Sequence, residues 1–235
     1  MTDRAVKGTA AAETPLVLGL RLVEDDLLPG WMRPLVANVH QARLPGQLRN
    51  LVGLAPTNAR RGAVLMLFGE GPAGPDLLLT ERSATMRSHA GQPAFPGGAR
   101  DPGEDAIAAA LREGEEETGL VPSSVLPVAL FPDLYLSPSG FLVRPVLGYW
   151  REPGDVRAVD PAETAAVARV PLSELVDPDN RGLVRHPSGF ISPAFRVADL
   201  VVWGFTAGLV DALLELGGWS EPWDRNRIFE LPENG

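Results

Sequence analysis

The sequence predicts an α/β sandwich, a mixed sheet held between helices. Three observations carry this. Apolar runs of strand length recur through the middle of the chain, one long helical pattern follows the first pair of them, and a second, more apolar helix comes near the end. At 235 residues the chain can bury one domain and carry an extension. The expected division is an extension over 1–57 and the domain over 58–235.

The elements follow in order. Leu16–Val23 suits a short strand, Pro29-Gly30 a turn, and Trp31–Gln41 an amphipathic helix with Trp31, Leu35 and Val39 on one side. Residues 42–60 hold Pro45, Gly46, Gly53 and Pro56 and read as a connecting loop. Ala63–Phe68 and Asp76–Thr80, joined across a turn at 69–75, form a hairpin. Pro93–Pro96 is a short extended piece leading into the helix. Strands are expected at Val125–Phe131, Val143–Trp150 and Val167–Val170, and helical turns at Asp160–Ala165 and Pro171–Leu175. Short strands follow at Leu183–His186, around Phe195 and at Leu200–Trp203. Thr206–Leu216 is a helix with Val210, Leu213 and Leu214 apolar, stopped by Gly217-Gly218. Trp203 and this helix can serve the core or the face of a homodimer.

Composition narrows the function. There is no cysteine, so disulfides and thiolate chemistry are excluded. A net charge of −9 argues against nonspecific binding to nucleic acid or to an anionic membrane. No apolar run reaches the roughly 18 residues of a membrane span. The apolar patch Pro15–Leu20 is short and acidic residues follow it, which fits no signal peptide. The expected location is cytoplasmic.

The middle helix organises the chain. Asp101 is expected to cap it, Pro102 to take the first helical position, and Glu104 to complete a capping box. Ile107, Ala110 and Leu111 give its buried stripe, and Gly119 its left-handed stop. Glu113, Glu116 and Glu117 share an arc about 100° wide, while Glu115 points elsewhere. Like charges so close repel, by some tenths of a kcal/mol per pair. They also sit near the helix C-terminus, where the macrodipole disfavours anions. A solvated acidic face is one reading. A divalent cation relieving both conflicts is the other, and local conflicts of this kind gather at functional sites.

The spacing decides between them. Gly98, Glu104, Arg112-Glu113, Glu116-Glu117 and Gly119-Leu120 fill the fixed positions of a pattern that resembles the Nudix box, G-x5-E-x7-R-E-U-x-E-E-x-G-U. Gly114 departs from it, standing where a bulky aliphatic residue is usual. A glycine there loses packing and about 1 kcal/mol of helix propensity against alanine. The resemblance implies a Nudix-type α/β/α sandwich with a loop-helix-loop catalytic motif. It also implies Mg²⁺ or Mn²⁺ held by Glu113, Glu117 and the Gly98 carbonyl, with Glu116 a third ligand or the base that orients water. Arg112 and Glu104 are expected to pair as structural support, although about 12 Å would separate them along a straight helix. Some members of this family use a downstream carboxylate as the base, for which Asp160 and Glu163 are the candidates.

A second constellation lies just upstream. Leu79-Thr80-x-Arg82-Ser83, Arg87-Ser88-His89-x-Gly91-Gln92 and Phe95-Pro96-Gly97-Gly98 resemble the signature of the coenzyme A pyrophosphatase branch of that family. Arginine forks suit phosphate oxygens, so Arg82 and Arg87 fit beside a metal site. Arg82, Ser83, Arg87, His89 and Gln92 are the expected substrate-binding residues. Ser83 and His89 make no nucleophilic dyad, since no partnered acid is apparent. The resemblance implies a small-molecule, nucleotide-type substrate. Hydrolysis of coenzyme A or its acyl derivatives would give adenosine 3′,5′-bisphosphate and (acyl-)4′-phosphopantetheine. ADP-ribose, dinucleotides or oxidised nucleoside triphosphates are the alternative substrates, and a non-catalytic Nudix-fold module is the alternative of another class.

Overall fold

The computed structural model describes residues 19–41, 48, 51–52, 55–84, 91–137, 139–186, 189 and 191–231. The described chain opens with β1 (Leu20–Arg21), then α1 (Arg33–Asn38), which continues as a 3₁₀ turn to Gln41. β2 (Arg60–Gly71) and β3 (Gly74–Arg82) form the expected hairpin, tighter and longer than the sequence pattern implied. β4 (Pro93–Ala94) and β5 (Gly97–Ala99) follow, and then α2 (Ala106–Thr118). β6 (Val125–Leu130), β7 (Leu134–Leu136), β8 (Phe141–Trp150) and β9 (Thr164–Pro171) complete the large sheet. α3 (Leu172–Val176) leads to β10 (Arg181–Arg185), β11 (Ile191–Val197) and β12 (Leu200–Val202). α4 (Gly204–Gly217) and β13 (Ile228–Phe229) end the described chain.

Among the described residues the large sheet has nine strands, ordered β1-β6-β8-β2-β3-β4, with β5 on β2, β7 on β8 and β9 on β3. β2 and β8 run parallel, and the other pairs of this sheet are antiparallel. The smaller sheet is ordered β12-β11-β10-β13. The period of two along β2 divides the core. Ala63, Leu65 and Leu67 face Ala106, Ala109 and Ala110 of α2. Met66 and Phe68 face the other way, toward Leu35 and Val36 of α1 and Leu209, Val210 and Leu213 of α4. Burying each of the larger of these side chains, the leucines, valines, Met66 and Phe68, stabilises by about 1.5–3 kcal/mol. Two apolar faces with a helix on each make the sandwich that the sequence predicted.

Several elements differ from expectation. The middle helix starts later. Asp105 caps it, accepting from the Ala108 N–H at 2.8 Å, and Asp101–Glu104 is a separate turn in front of it. Glu104 still donates half of a capping box, since its carboxylate accepts from the Asp101 N–H at 2.9 Å. Ala106, Ala109, Ala110, Gly114 and Thr118 are its buried positions, and Ile107 and Leu111 pack beside them half-buried. The helical turn expected at Asp160–Ala165 is a single turn ending at Thr164, where the Glu163 and Thr164 N–H groups donate to the Asp160 carbonyl at 3.0 and 2.9 Å. It runs straight into β9, because Thr164–Pro171 pairs with β3. α4 is buried from Thr206 through Leu214, which places it in the core rather than on a dimer face. The first described segment also joins the body, since β1 pairs with β6 and α1 packs against α4. The start of the strand expected at Leu16–Val23 lies outside the described residues.

Candidate active site

α2 rests directly on β5, and glycine allows it. A Cβ on Gly97 would strike Ala63 and Val64 of β2. One on Gly98 would stand 2.5–2.6 Å from the Glu113 carboxylate. What Gly98 gives the site is therefore the space a side chain would fill, and Gly62 opposite leaves room in turn, since a Cβ there would stand 2.8 Å from the Gly98 carbonyl oxygen. The Glu117 carboxylate accepts from the Gly97 N–H at 3.3 Å. One short strand thus meets both acids, one helical turn apart.

Arg112 organises the rest. Its Nε and Nη2 grip both oxygens of Glu104 at 3.0 Å, and Nη2 also donates to the Ala99 carbonyl at 2.9 Å. Its Nη1 reaches Glu113 at 2.9 Å and Glu116 at 3.0 Å. The span that a straight helix made long is short here because Glu104 lies on the preceding turn. Glu104 is held below the usual carboxylate range, chiefly by the Arg112 hydrogen bonds. Glu116 is turned to Arg112 and its side chain is 58% exposed. Among the described residues no three acidic side chains converge on one point at metal-ligand spacing.

Glu113 and Glu117 behave differently. Burial pushes both up, and Glu117 reaches about 7. For Glu117 the repulsion of Glu113 and Glu163 adds to burial, while Arg82 and the Gly97 N–H act against it. For Glu113, the Arg112 guanidinium offsets part of the effect. The donor set suits a hard divalent cation: carboxylate oxygens, half-buried and crowded, beside a glycine cradle that a Cβ would fill.

The upstream residues fall as follows. Arg82 ends β3. Its N–H donates to the Gln92 carbonyl at 3.1 Å, and its carbonyl accepts from the Gly91 N–H at 3.0 Å. Its buried Nε has no hydrogen-bond partner among the described residues. Ser83 is buried, and its N–H holds the Glu163 carbonyl at 2.8 Å. Arg87 and His89 lie outside the described residues. Glu163 is exposed at the start of β9, close enough to Glu117 to raise it. Asp160 is engaged in its own turn, where its carboxylate accepts from the Ala162 N–H at 2.8 Å. The strap before it was not legible in the sequence. There the Arg157 and Val159 N–H groups donate to the Thr118 and Glu117 carbonyls at 3.0 and 3.2 Å. They satisfy the last carbonyls of α2, and backbone donors carry no side-chain signal. In the sequence Gly97 stands out only as part of a motif, and the Gly-Gly pair is the signal for its close contact with β2.

Fold and site define a class: an α/β sandwich with an acidic helix seated on a glycine strand. Comparison with known proteins gives the family. The NUDIX domain model matches residues 58–188. The chain is 38% identical over 187 residues to the uncharacterized Nudix hydrolase NudL of Photorhabdus laumondii, covering 76% of this chain and 94% of that protein. It is 38% identical over 179 residues to NudL of Escherichia coli K12, covering 72% and 90%. Among solved structures, RenU, a Nudix hydrolase from M. smegmatis, aligns at 22% identity and a TM-score of 0.49, covering 71% of this chain and 91% of that one. The chain belongs to the Nudix family. It is a Nudix hydrolase, an enzyme of pyrophosphate bonds.

Proposed function

We propose that this hydrolase cleaves the diphosphate of coenzyme A or its acyl derivatives, in the cytoplasm, releasing adenosine 3′,5′-bisphosphate and (acyl-)4′-phosphopantetheine. The observation that carries the reading is the seating of Glu113 and Glu117 on Gly98 and Gly97, with Arg82 beside them. The substrate class rests on the upstream signature, of which Arg82, Ser83 and Gln92 are described.

Glu113, Glu117 and the backbone at Gly98 would hold Mg²⁺ or Mn²⁺, with Glu116 the third acidic contributor once it leaves Arg112. When bound, such a cation neutralises diphosphate charge and lowers the pKa of a coordinated water. The remaining work belongs to the chain's own groups. Arg82 meets phosphate oxygens and, with Arg87, His89 and Gln92, fixes the diphosphate in line for attack. Glu163 accepts the proton of the attacking water. The water oxygen forms a bond to phosphorus, the bridging P–O bond breaks, and the leaving phosphate departs as an anion that needs no proton at pH 7. Arg112 and Glu104 keep Glu113 in place. Such a reaction asks for position and charge balance more than covalent chemistry.

Coenzyme A and ADP-ribose, incubated side by side with the enzyme and Mn²⁺, test the reading. Adenosine 3′,5′-bisphosphate from coenzyme A, at a higher kcat/KM than AMP from ADP-ribose, is the expected result. Turnover of ADP-ribose alone would replace the substrate, and no product from either would remove the catalytic assignment.

A further inference from the structure

The large sheet places a group of arginines on the face that carries α2. Ala63 of β2 pairs with Gly98 of β5 on one side and with Arg144 of β8 on the other. Ala63 and Val146 both pack in the cluster beneath α2, so Arg144, two residues before Val146, lies on that same face. Arg61, two residues before Ala63, does too. Neighbouring strands lie about 4.8 Å apart, so Arg144 starts roughly 10 Å from the glycine under Glu113. Arg100 stands next to Arg61, its N–H donating to the Arg61 carbonyl at 3.0 Å, but its guanidinium is occupied by the Glu104 carbonyl.

The other two arginines are open. The Arg144 Nε donates to Asp133 at 2.6 Å, which fixes the guanidinium from one side and keeps it charged. Its outer nitrogens make no hydrogen bond among the described residues, and the side chain is 34% exposed. The Arg61 side chain is exposed and makes no hydrogen bond or ion pair among the described residues. In a chain of net charge −9, two uncommitted guanidiniums on adjacent strands run against the general trend. Guanidinium forks match phosphate oxygens in pairs.

We propose that Arg61 and Arg144 form a second anion site that binds a phosphomonoester of the substrate, set apart from the diphosphate that is cleaved. Asp133 is the positioning residue for Arg144. The proposal rests on the pyrophosphatase reading above and deepens it. Of the substrate's ends, it is the nucleotide carrying a ribose phosphate that lies along β2 and β8.

The test compares coenzyme A with 3′-dephospho-coenzyme A, using wild-type protein, R61Q and R144Q with Mn²⁺. Wild type is expected to prefer coenzyme A at least tenfold in kcat/KM. Each variant should lose about tenfold on coenzyme A, the value of one charge-assisted hydrogen bond, and keep its rate on the dephospho compound. Equal loss on both compounds, or no loss on either, overturns the site. R61Q removes an exposed side chain with no partner among the described residues and so tests the site even where R144Q folds poorly. If neither compound is cleaved, the pyrophosphatase reading fails separately. Calorimetry with adenosine 3′,5′-bisphosphate against AMP then decides the site. Tighter binding of the bisphosphate, abolished in R61Q, supports it, and equal binding of the two refutes it.

Discussion

Two acids in this molecule, Asp211 buried and Glu117 half-buried, stand in contrasting company. Asp211 of α4 is 8% exposed and is met by Arg181 of β10, which is 1% exposed. Arg181 bonds Asp211 through one nitrogen and Ser220 at 2.9 Å through another, and its guanidinium lies over Phe195 and Trp223. Burial pushes Asp211 up, and Arg181 pulls it back. Glu117 of α2 is also pushed up by burial, but no cation bonds it among the described residues. Its hydrogen bond is a 3.3 Å contact with a backbone N–H, and Arg82 acts on it only across space. The first acid is closed by its partner. The second has no cationic side chain bonded to it among the described residues, which is the arrangement the proposed cation site requires.

The contrast breaks most readily through exchange of the two acids. Glu117→Gln is nearly isosteric and should cost on the order of 10³–10⁴ in kcat/KM, the scale of losing a metal's charge stabilisation. Its circular dichroism should match wild type; near-normal turnover by this variant would place the chemistry elsewhere. Asp211→Ala should do the reverse. Leaving Arg181 buried without its partner destabilises by about 4 kcal/mol in urea titration. Turnover per folded molecule should stay at the wild-type value, and a fall in kcat would make α4 part of the site.

Proton linkage sharpens the same contrast. The Glu117 carboxyl titrates at about 7 in the folded chain against 4.5 for the free group. Between those values the folded protein holds a proton that the unfolded chain has released. Its contribution to metal-free stability is therefore full below about pH 4.5 and is lost as pH rises through 7. Glu117→Gln removes that loss. In EDTA the variant should gain on wild type between pH 5 and pH 8, by at most about 3 kcal/mol. Urea midpoints at the two pH values measure it. A constant difference between the proteins would mean that Glu117 is ionised throughout, with its charge already met.

The parts of this architecture that depend on side-chain pattern were readable from the sequence. The hairpin, α2, α4 and the acidic arc each follow from periodicity or from a glycine stop such as Gly119, whose φ is 71°. The start of α2 differs from expectation because Asp101-Pro102 and Asp105 are both competent beginnings. The chain uses the second, since Glu104 is needed off the helix, within reach of Arg112. The site's backbone parts were harder to see. The Gly97 N–H and the strap that caps α2 act through groups every residue carries. The row Gly98–Ala63–Arg144 joins three strands far apart in sequence, and only pairing brings it together.

Gly114 offers the smallest expected effect and separates the stability of α2 from its chemistry. The sequence marked it as a loss of packing. In the fold the space is already filled: a Cβ there would meet Leu65 Cδ2 and Leu120 Cδ2, each at 3.1 Å. Both are the ends of flexible side chains and can yield by tenths of an ångström. Alanine also recovers about 1 kcal/mol of helix propensity. Gly114→Ala should therefore stabilise by about 0.5 kcal/mol after that crowding. Gly114→Leu, which restores the bulky residue usual at this position, should destabilise by about 1–3 kcal/mol through overpacking. Neither touches the carboxylates, so kcat/KM per folded molecule should remain within about twofold. If leucine proved more stable than alanine, the filled space between Leu65 and Leu120 would be wrong. If alanine changed the rate, the seating of Glu113 and Glu117 would depend on a looseness in α2 that only glycine supplies.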